Sequence, residues 1–369
     1  MKGVIRKRKR VMKSRKNSLL GNLAVASLSL LGVVEAVFRL YPPFGAIVTK
    51  KDLEAYRRRA PYIKGNKFTY PKEWELKGMK RNRIVSHDHV VPEKKIPASV
   101  PDFSPSGSEE YKFTWFGHSS VLLQVEGVNI LIDPVLVNRF FPITWLGPKR
   151  FSELPVGIPD LPDIDVVLIT HDHHDHLEPR TIKALDGKVS RYFVPLGVEK
   201  HLIKWGVDSD KIVSLAWWES VSYRSMEFVC TPSRHFSGRR LTGQKRTEYC
   251  SWVMRNSKFK FFDSGDGSVG KHFEMINERF GAFDLVFMEC GQYNEKWHYS
   301  HMYPEESVHM AKKVGARIAV PVHWSSFVLS EHAWDDPIKR FVKEAGNTGL
   351  KILTPGICET VRMGNRDEQ

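Results

Sequence analysis

With 369 residues, 41% of them hydrophobic and 11% aromatic, the chain has the material for one large packed domain or two ordinary ones, which excludes disorder as its default state. Its formal charge of +14 is uneven, because nine lysines and arginines crowd between Lys2 and Lys16; the rest is only modestly basic, which weakens the argument for nucleic acid as a partner and leaves an anionic surface or a phosphate-bearing substrate open. The sequence holds no internal repeat, and Cys230, Cys250, Cys290 and Cys358 lie too far apart for a disulfide framework or a four-cysteine zinc site, so they read as buried free thiols.

After the basic run comes an apolar stretch from Leu19 to Phe38, interrupted by Asn22, Ser27, Ser29 and Glu35 and broken by Tyr41-Pro42-Pro43-Phe44-Gly45. Its length is near the ~20 residues that cross a bilayer, whereas its cleanest part, Leu23 to Val34, has the size of a signal-peptide core. The heavy cationic flank favours an uncleaved anchor, as do small-x-small sites such as Ala24-Val25-Ala26 buried inside the apolar core. The positive-inside rule then keeps the amino terminus cytoplasmic and puts everything after Tyr41 on the opposite face of the membrane. Secretion after signal cleavage is the alternative, and a peripheral amphipathic segment or a core helix the plainer one. Residues 46–105, rich in Lys, Arg and Pro with Tyr62, Phe68, Tyr70 and Trp74 scattered through them, read as an extended lead-in. The three parts are thus a basic terminus with anchor or signal (1–45), the lead-in (46–105) and the main folded domain (106–369).

From Tyr111 short apolar runs predict strands at Phe113 to Phe116, Val121 to Val125, Asn129 to Ile132, Val166 to Ile169, Phe193 to Pro195 and Ile212 to Leu215. Helical spacing predicts helices over Thr181 to Leu185, Pro304 to Val314 and Ile338 to Lys343. Strand clusters with helices between them indicate an α/β fold with sheets buried under helices. Within it, Asp165-Val166-Val167-Leu168-Ile169-Thr170 runs straight into His171-Asp172-His173-His174-Asp175-His176. The cluster therefore sits at the carboxyl end of a strand, and Pro179 suits the first turn of the helix that follows.

Two residues apart in extended backbone, His171 and His173 point to the same side and can share a metal ion. Asp175 and His176 follow on the turning loop and can face a second. Imidazole and carboxylate together suit zinc, and iron and manganese accept the same residue types. Four local ligands are too few for two ions. His235, Asp266 and His323 each follow a short apolar or turn-flanked run, as ligands gathered at one sheet edge would, although any of these histidines taken alone is as readily a core or surface residue.

The run Thr170 to His176 matches the HxHxDH signature and resembles the metallo-β-lactamase superfamily. That resemblance implies a four-layer αββα sandwich with a di-metal site between the sheets. It further implies His171, His173 and His235 on one metal, Asp175, His176 and His323 on the other, and Asp266 bridging them. Within the superfamily the chain is most similar to N-acylphosphatidylethanolamine-hydrolysing phospholipase D and its bacterial relatives. The matching pieces run in order: Thr114-Trp115-Phe116-Gly117-His118-Ser119-Ser120, Ile132-Asp133-Pro134-Val135, Gly147-Pro148-Lys149-Arg150-Phe151, Thr231-Pro232-x-x-His235, Gly291-x-Tyr293 with Trp297 and His301, Pro304-Glu305-Glu306, and His323-Trp324-x-x-Phe327. Two stretches depart from the family pattern. Gly265-Asp266-Gly267-Ser268 stands where the family has Gly-Asp-Thr-Gly, and Gln292-Tyr293-Asn294-Glu295-Lys296-Trp297 changes a region expected to line the substrate pocket.

The expected reaction follows from what two neighbouring metals do: about 3.5–4 Å apart, they lower the pKa of a shared water and clamp the attacking and leaving oxygens of an in-line displacement. Asp175 and Asp266 are then placed to hold metal and to accept or relay a proton, and His301 to stabilise developing charge or position a phosphate. Lys149 and Arg150 offer cations to an anionic head group. Phe140, Phe141, Trp145, Trp217 and Trp218 suit either a lipid-accepting groove or the core. The leading expectation is a membrane-tethered phosphodiesterase of phospholipase D type, carrying two zinc ions and releasing phosphatidic acid and an N-acyl amine from N-acylated phospholipids. Lactone or amide hydrolysis on the same fold and a catalytically idle metal-binding membrane protein are the rivals. The expected partners are an anionic phosphodiester or phospholipid and the membrane through residues 19–38, with no nucleic acid; a homodimer is left open.

Overall fold

In the computed structural model, residues 41–74, 89–154, 156–240 and 243–364 are described, with isolated positions between 22 and 40. The expected anchor over residues 19–38 falls largely outside them, and no helix among the described residues is long and apolar enough to cross a membrane.

In its described residues the lead-in is more ordered than its lack of periodicity predicts. It carries helix α1 (Lys50–Tyr56) and a small hairpin of β1 (Ile63–Lys64) and β2 (Lys67–Phe68). Thr49 starts α1 with a reciprocal cap, its Oγ1 accepting from Asp52 N–H while Asp52 Oδ2 accepts from Thr49 N–H. Its aromatics clamp onto the main body: Tyr62 stacks on Trp217 at 4.2 Å and Trp74 on the same indole at 5.5 Å. Trp217 is therefore core, 6% exposed, and not part of a lipid groove.

Among the described residues two seven-stranded mixed sheets follow. The first contains β3 (Glu110–Trp115), β4 (Val121–Val125), β5 (Val128–Ile132), β6 (Ile164–Leu168), β7 (Val189–Pro195) and β8 (Ile212–Leu215). The second contains β9 (Ser220–Tyr223), β10 (Met226–Pro232), β11 (Cys250–Arg255), β12 (Lys260–Asp263), β13 (Phe283–Glu289), β14 (Ala316–Val322) and β15 (Lys351–Ile352). The last strand, β16 (Thr360–Gly364), returns to pair with β3 and closes the first sheet's edge. Strands β4, β6 and β13 are buried at every position, and such near-continuous apolar runs belong to sheets covered on both faces.

One face of each sheet meets the other. Tyr111 of β3 packs edge-on against Phe261 of β12 at 4.9 Å, Phe113 against Phe287 of β13 at 5.4 Å, and Phe193 of β7 against Phe228 of β10 at 5.1 Å. Burial of each such ring contributes about 1.5–3 kcal/mol. The outer faces carry helices α2 (Pro179–Leu185), α3 (Glu199–Trp205), α4 (His272–Phe280), α5 (Pro304–Val314) and α6 (Asp336–Thr348). Helix α5 shows why its sequence is helical: Pro304 opens it, Glu306 accepts from the Tyr303 N–H at 2.9 Å, and Gly315 ends it in the left-handed conformation. The result is the αββα sandwich that the motif implies.

Pairing directions decide where the site lies. In the first sheet β5 and β6 run parallel, and β3 points the same way through antiparallel β4. In the second, β12, β13 and β14 are parallel, and β10 points with them through antiparallel β11. Each sheet thus gathers several carboxyl ends at one edge.

Candidate metal centre

Every residue of the site leaves one of those strand ends. The loop after β3 supplies His118, that after β5 Asp133, and that after β6 the run from His171 to His176. From the second sheet come His235 after β10, Asp266 after β12, Glu289 at the end of β13 and His323 after β14. The loops are tight. A Cβ on Gly291 would lie 2.1 Å from the His323 carbonyl oxygen, and one on Gly265 (φ 53°) 2.8 Å from that of Cys250, so both positions require glycine. His118 and His323 hold left-handed backbone (φ 55° and 68°) and are tied together, His323 N–H donating to His118 O and His118 N–H to Trp324 O. Non-glycine residues keep such a conformation only where their surroundings enforce it.

Donor atoms converge in two groups. His171, His173, His235 and Asp266 form one; Asp175, His176 and His323, with His118, form the other, each within 4.8 Å of one another. The structure brings together all seven residues expected as ligands, and His301 joins Asp266 and His323 in a further group with Glu289.

The residues present fit metal by a proton count. His171 Nδ1 lies 3.0 Å from Thr170 Oγ1, whose own proton goes to Asp133 Oδ2 at 2.5 Å, so the histidine nitrogen donates there. His235 Nδ1 donates to the Ser300 carbonyl at 3.0 Å. Both rings then turn a lone pair at Nε2 toward His173 Nδ1, at 2.9 and 3.2 Å. One proton cannot serve both contacts; a cation can. In the second group His176 donates through Nδ1 to Asp133 Oδ2 at 2.7 Å, which turns its Nε2 to the carboxylates of Asp266 at 3.1 Å and Asp175 at 3.6 Å, while Asp266 Oδ1 is buried without a hydrogen-bond partner.

Protonation agrees. Burial first, and then neighbouring imidazoles, hold His171, His235 and His323 well below the ordinary histidine range, so they are neutral ligands at pH 7. Burial alone would raise Asp175 and Asp266, but His176 and the other rings hold both well below the usual carboxylate range. His176 runs the other way: burial opposes its charge, yet the carboxylates of Asp266, Asp175 and Asp133 outweigh it, and a proton occupies what a metal would otherwise neutralise.

Several supporting residues carried no role in the sequence reading. Asp133 accepts from the Thr170 N–H at 2.8 Å, the Thr170 hydroxyl and His176, and so orients two parts of the motif at once. His118 Nε2 contacts Asp175 Oδ2 at 2.8 Å, and Ser119 Oγ lies 2.9 Å from His323 Nδ1. Asp133 and Glu289 each close a buried apolar run, the same signal that picked out His323.

Other expectations are corrected. Arg150 is 2% exposed and spends its guanidinium on the carbonyls of Phe116, Val135 and Val137 and on Ser326 Oγ, so it is closed to an anionic head group; Lys149 remains exposed. Gln292 and Tyr293 do not line a substrate pocket. The Gln292 amide bonds Phe327 O and Leu329 N–H, and the Tyr293 ring stacks on His332 at 4.4 Å and donates to Asp336. Around the altered Gly-Asp-Gly-Ser turn, Ser268 Oγ donates to His298 O at 2.6 Å and Ser233 Oγ to Asp266 O at 2.7 Å. Phe140 packs with Val135 and Phe327 in a small buried cluster, whereas Trp145 is 74% exposed. All four cysteines are buried and free.

The model of the β-lactamase superfamily domain matches residues 128–324, which contain all seven expected ligands. The chain belongs to the metallo-β-lactamase superfamily. Among superfamily relatives, an uncharacterised protein of Mycobacterium tuberculosis is 37% identical over 286 residues, covering 76% of this chain and 75% of its own. The N-acyl-phosphatidylethanolamine-hydrolyzing phospholipase D 1 of Caenorhabditis elegans is 31% identical over 265 residues, covering 67% of this chain and 74% of its own. A metallo hydrolase of the archaeon Ignicoccus hospitalis shares the fold, with a TM-score of 0.54 at 21% identity, covering 69% of this chain and 98% of its own. The similarity to N-acylphosphatidylethanolamine-hydrolysing phospholipase D is thereby borne out. The chain is a metal-dependent hydrolase of metallo-β-lactamase fold whose histidine–aspartate cluster is able to bind metal.

Proposed function

We propose that this hydrolase is a phosphodiesterase of phospholipase D type that loads two zinc ions and converts N-acylated phospholipids into phosphatidic acid and an N-acyl amine. The observation that carries the reading is the 31% identity to the nematode phospholipase over two thirds of the chain. It is supported by where the shared pieces lie: His118, Ser119, His301 and His323 all surround the two donor groups. Metal at those groups supplies Lewis acidity toward the phosphate and an acidified water. The chain's own residues do the rest. Asp175 and Asp266, ionised and buried, accept and relay a proton at their Oδ atoms, while His301 faces the same space and meets the phosphate or the leaving oxygen.

In this reading the enzyme works at a lipid surface, tethered through residues 19–38 with its domain on the face opposite the amino terminus. Tyr41, where the apolar stretch ends, lies beside the exposed Trp145 and Leu146 loop, its hydroxyl donating to Pro142 O at 3.4 Å. Such a cluster of exposed apolar side chains at a chain exit suits an interfacial position. The test is to offer the purified full chain N-acylated phosphatidylethanolamine in vesicles. Phosphatidic acid and N-acylethanolamine should appear together and vanish with a chelator or with His173→Ala. Turnover of lactones or amides with no phosphodiester cleavage would overturn the proposal.

A further inference from the structure

Strand β13, Phe283–Glu289, ends on a carboxylate that neither the motif nor the expected ligand set uses. Glu289 is 0% exposed, and burying a carboxylate is costly unless donors meet it. Two do. Its Oε1 accepts the Met302 N–H at 3.0 Å, and its Oε2 lies 3.2 Å from His301 Nδ1. The strand end itself is pinned, the Glu289 N–H donating to Ser264 Oγ at 3.0 Å. His301 in turn lies flat on His323, ring centroids 5.3 Å apart and 5° from parallel, and edge-on to His235 at 5.2 Å. His301 keeps 12% of its side chain open, against 1% for Glu289.

We infer that Glu289 is the positioning residue of His301. By accepting at Nδ1 it sets the tautomer and the ring plane, so that Nε2 is the nitrogen left on the open edge toward substrate. A carboxylate behind an imidazole acts this way in hydrolytic sites generally: it decides which nitrogen carries the proton and steadies the ring when the other nitrogen works. The second hydrogen bond, to Met302, fixes the backbone next to His301, so one carboxylate holds both the ring and the loop that carries it. Glu289 itself meets no substrate.

The kinetic arm rests on the phosphodiesterase reading; the spectroscopic arm does not. In the metal-loaded full chain, Glu289→Ala should lower kcat roughly 10–100-fold, the usual cost of removing such a supporting partner, with KM and bound metal unchanged. Glu289→Gln, which keeps the size and an acceptor oxygen, should recover most of the loss and guards against a folding failure. The double variant with His301→Ala should be no slower than His301→Ala alone. With 15N-histidine labelling, the protonated Nδ1 signal assigned through His301→Ala should be present in the wild type and lost in Glu289→Ala. Additive losses in the double variant, reduced metal content in Glu289→Ala or Glu289→Gln, or an unmoved His301 signal would overturn the inference. Absence of phosphodiesterase activity in the wild type, with the His301 signal still dependent on Glu289, would sink only the substrate reading.

Discussion

Glu248 shows how far one buried side chain can set the behaviour of this protein in pH. Burial pushes its carboxyl from an ordinary 4.5 up to about 8, partly offset by the hydrogen bond donated by the Tyr62 hydroxyl, which also accepts the Trp217 N–H at 3.1 Å. In the folded protein Glu248 therefore keeps its proton up to about pH 8, while in the unfolded chain it loses it above about 4.5. The folded state binds more protons in that window, so the stability contribution is fully present below the unfolded pKa and is lost as pH rises through the folded one. Thermal melts between about pH 5 and pH 9 should show a falling alkaline limb in the wild type that Glu248→Gln flattens. Parallel curves for the two proteins would show that the carboxyl does not titrate in this way.

At the scale of elements, the segment entering the domain is buckled to the metal loop. Trp205 Nε1 donates to Pro42 O at 2.7 Å, Arg239 to Pro43 O at 3.2 Å, Lys204 to Gly45 O at 3.0 Å, and Arg240 to Gly45 O and Ala46 O at 2.7 Å each. Arg239 also holds the carbonyls of Asp172 and Leu177, and His201 bridges the Ala46 N–H to Asp172. Phe44, 2% exposed, sits edge-on to His174 at 6.1 Å. Removing residues 1–47 should therefore lower the melting temperature and loosen metal retention, whereas removing 1–40 should leave both unchanged. Phe44→Ala alone should cost about 3 kcal/mol in chemical denaturation. Equal melting of the two truncations would show the buckle to be passive.

For the whole molecule, the metal centre acts as a clasp between sheets. His171, His173, Asp175 and His176 come from the first sheet, and His235, Asp266 and His323 from the second. Metal binds the folded arrangement and not the separated strands, so it should stabilise the sandwich by about 4 kcal/mol at a free-metal concentration roughly a thousand times Kd. Calorimetry with and without chelator should show a drop in melting temperature that added zinc reverses. Unchanged melting would mean that the two donor groups do not share a metal centre across the sheets.

Much of this architecture is legible in the chain itself because it depends on local order. Buried strands are written as continuous apolar runs, and the predicted positions of β4, β5 and β8 agree with the structure to within a residue. A histidine cluster after such a run declares a strand-end site, and similarity carried it to His235, Asp266 and His323. What the sequence could not determine was direction in space. Whether Arg150 faces substrate or a ring of carbonyls, whether Gln292 lines a pocket or ties down the 327–336 segment, and that Glu289 stands behind His301 all depend on contacts between residues far apart in the chain. A side chain's chemistry is fixed by its type, but its partners are fixed by packing, and packing is settled only when both sheets close on each other.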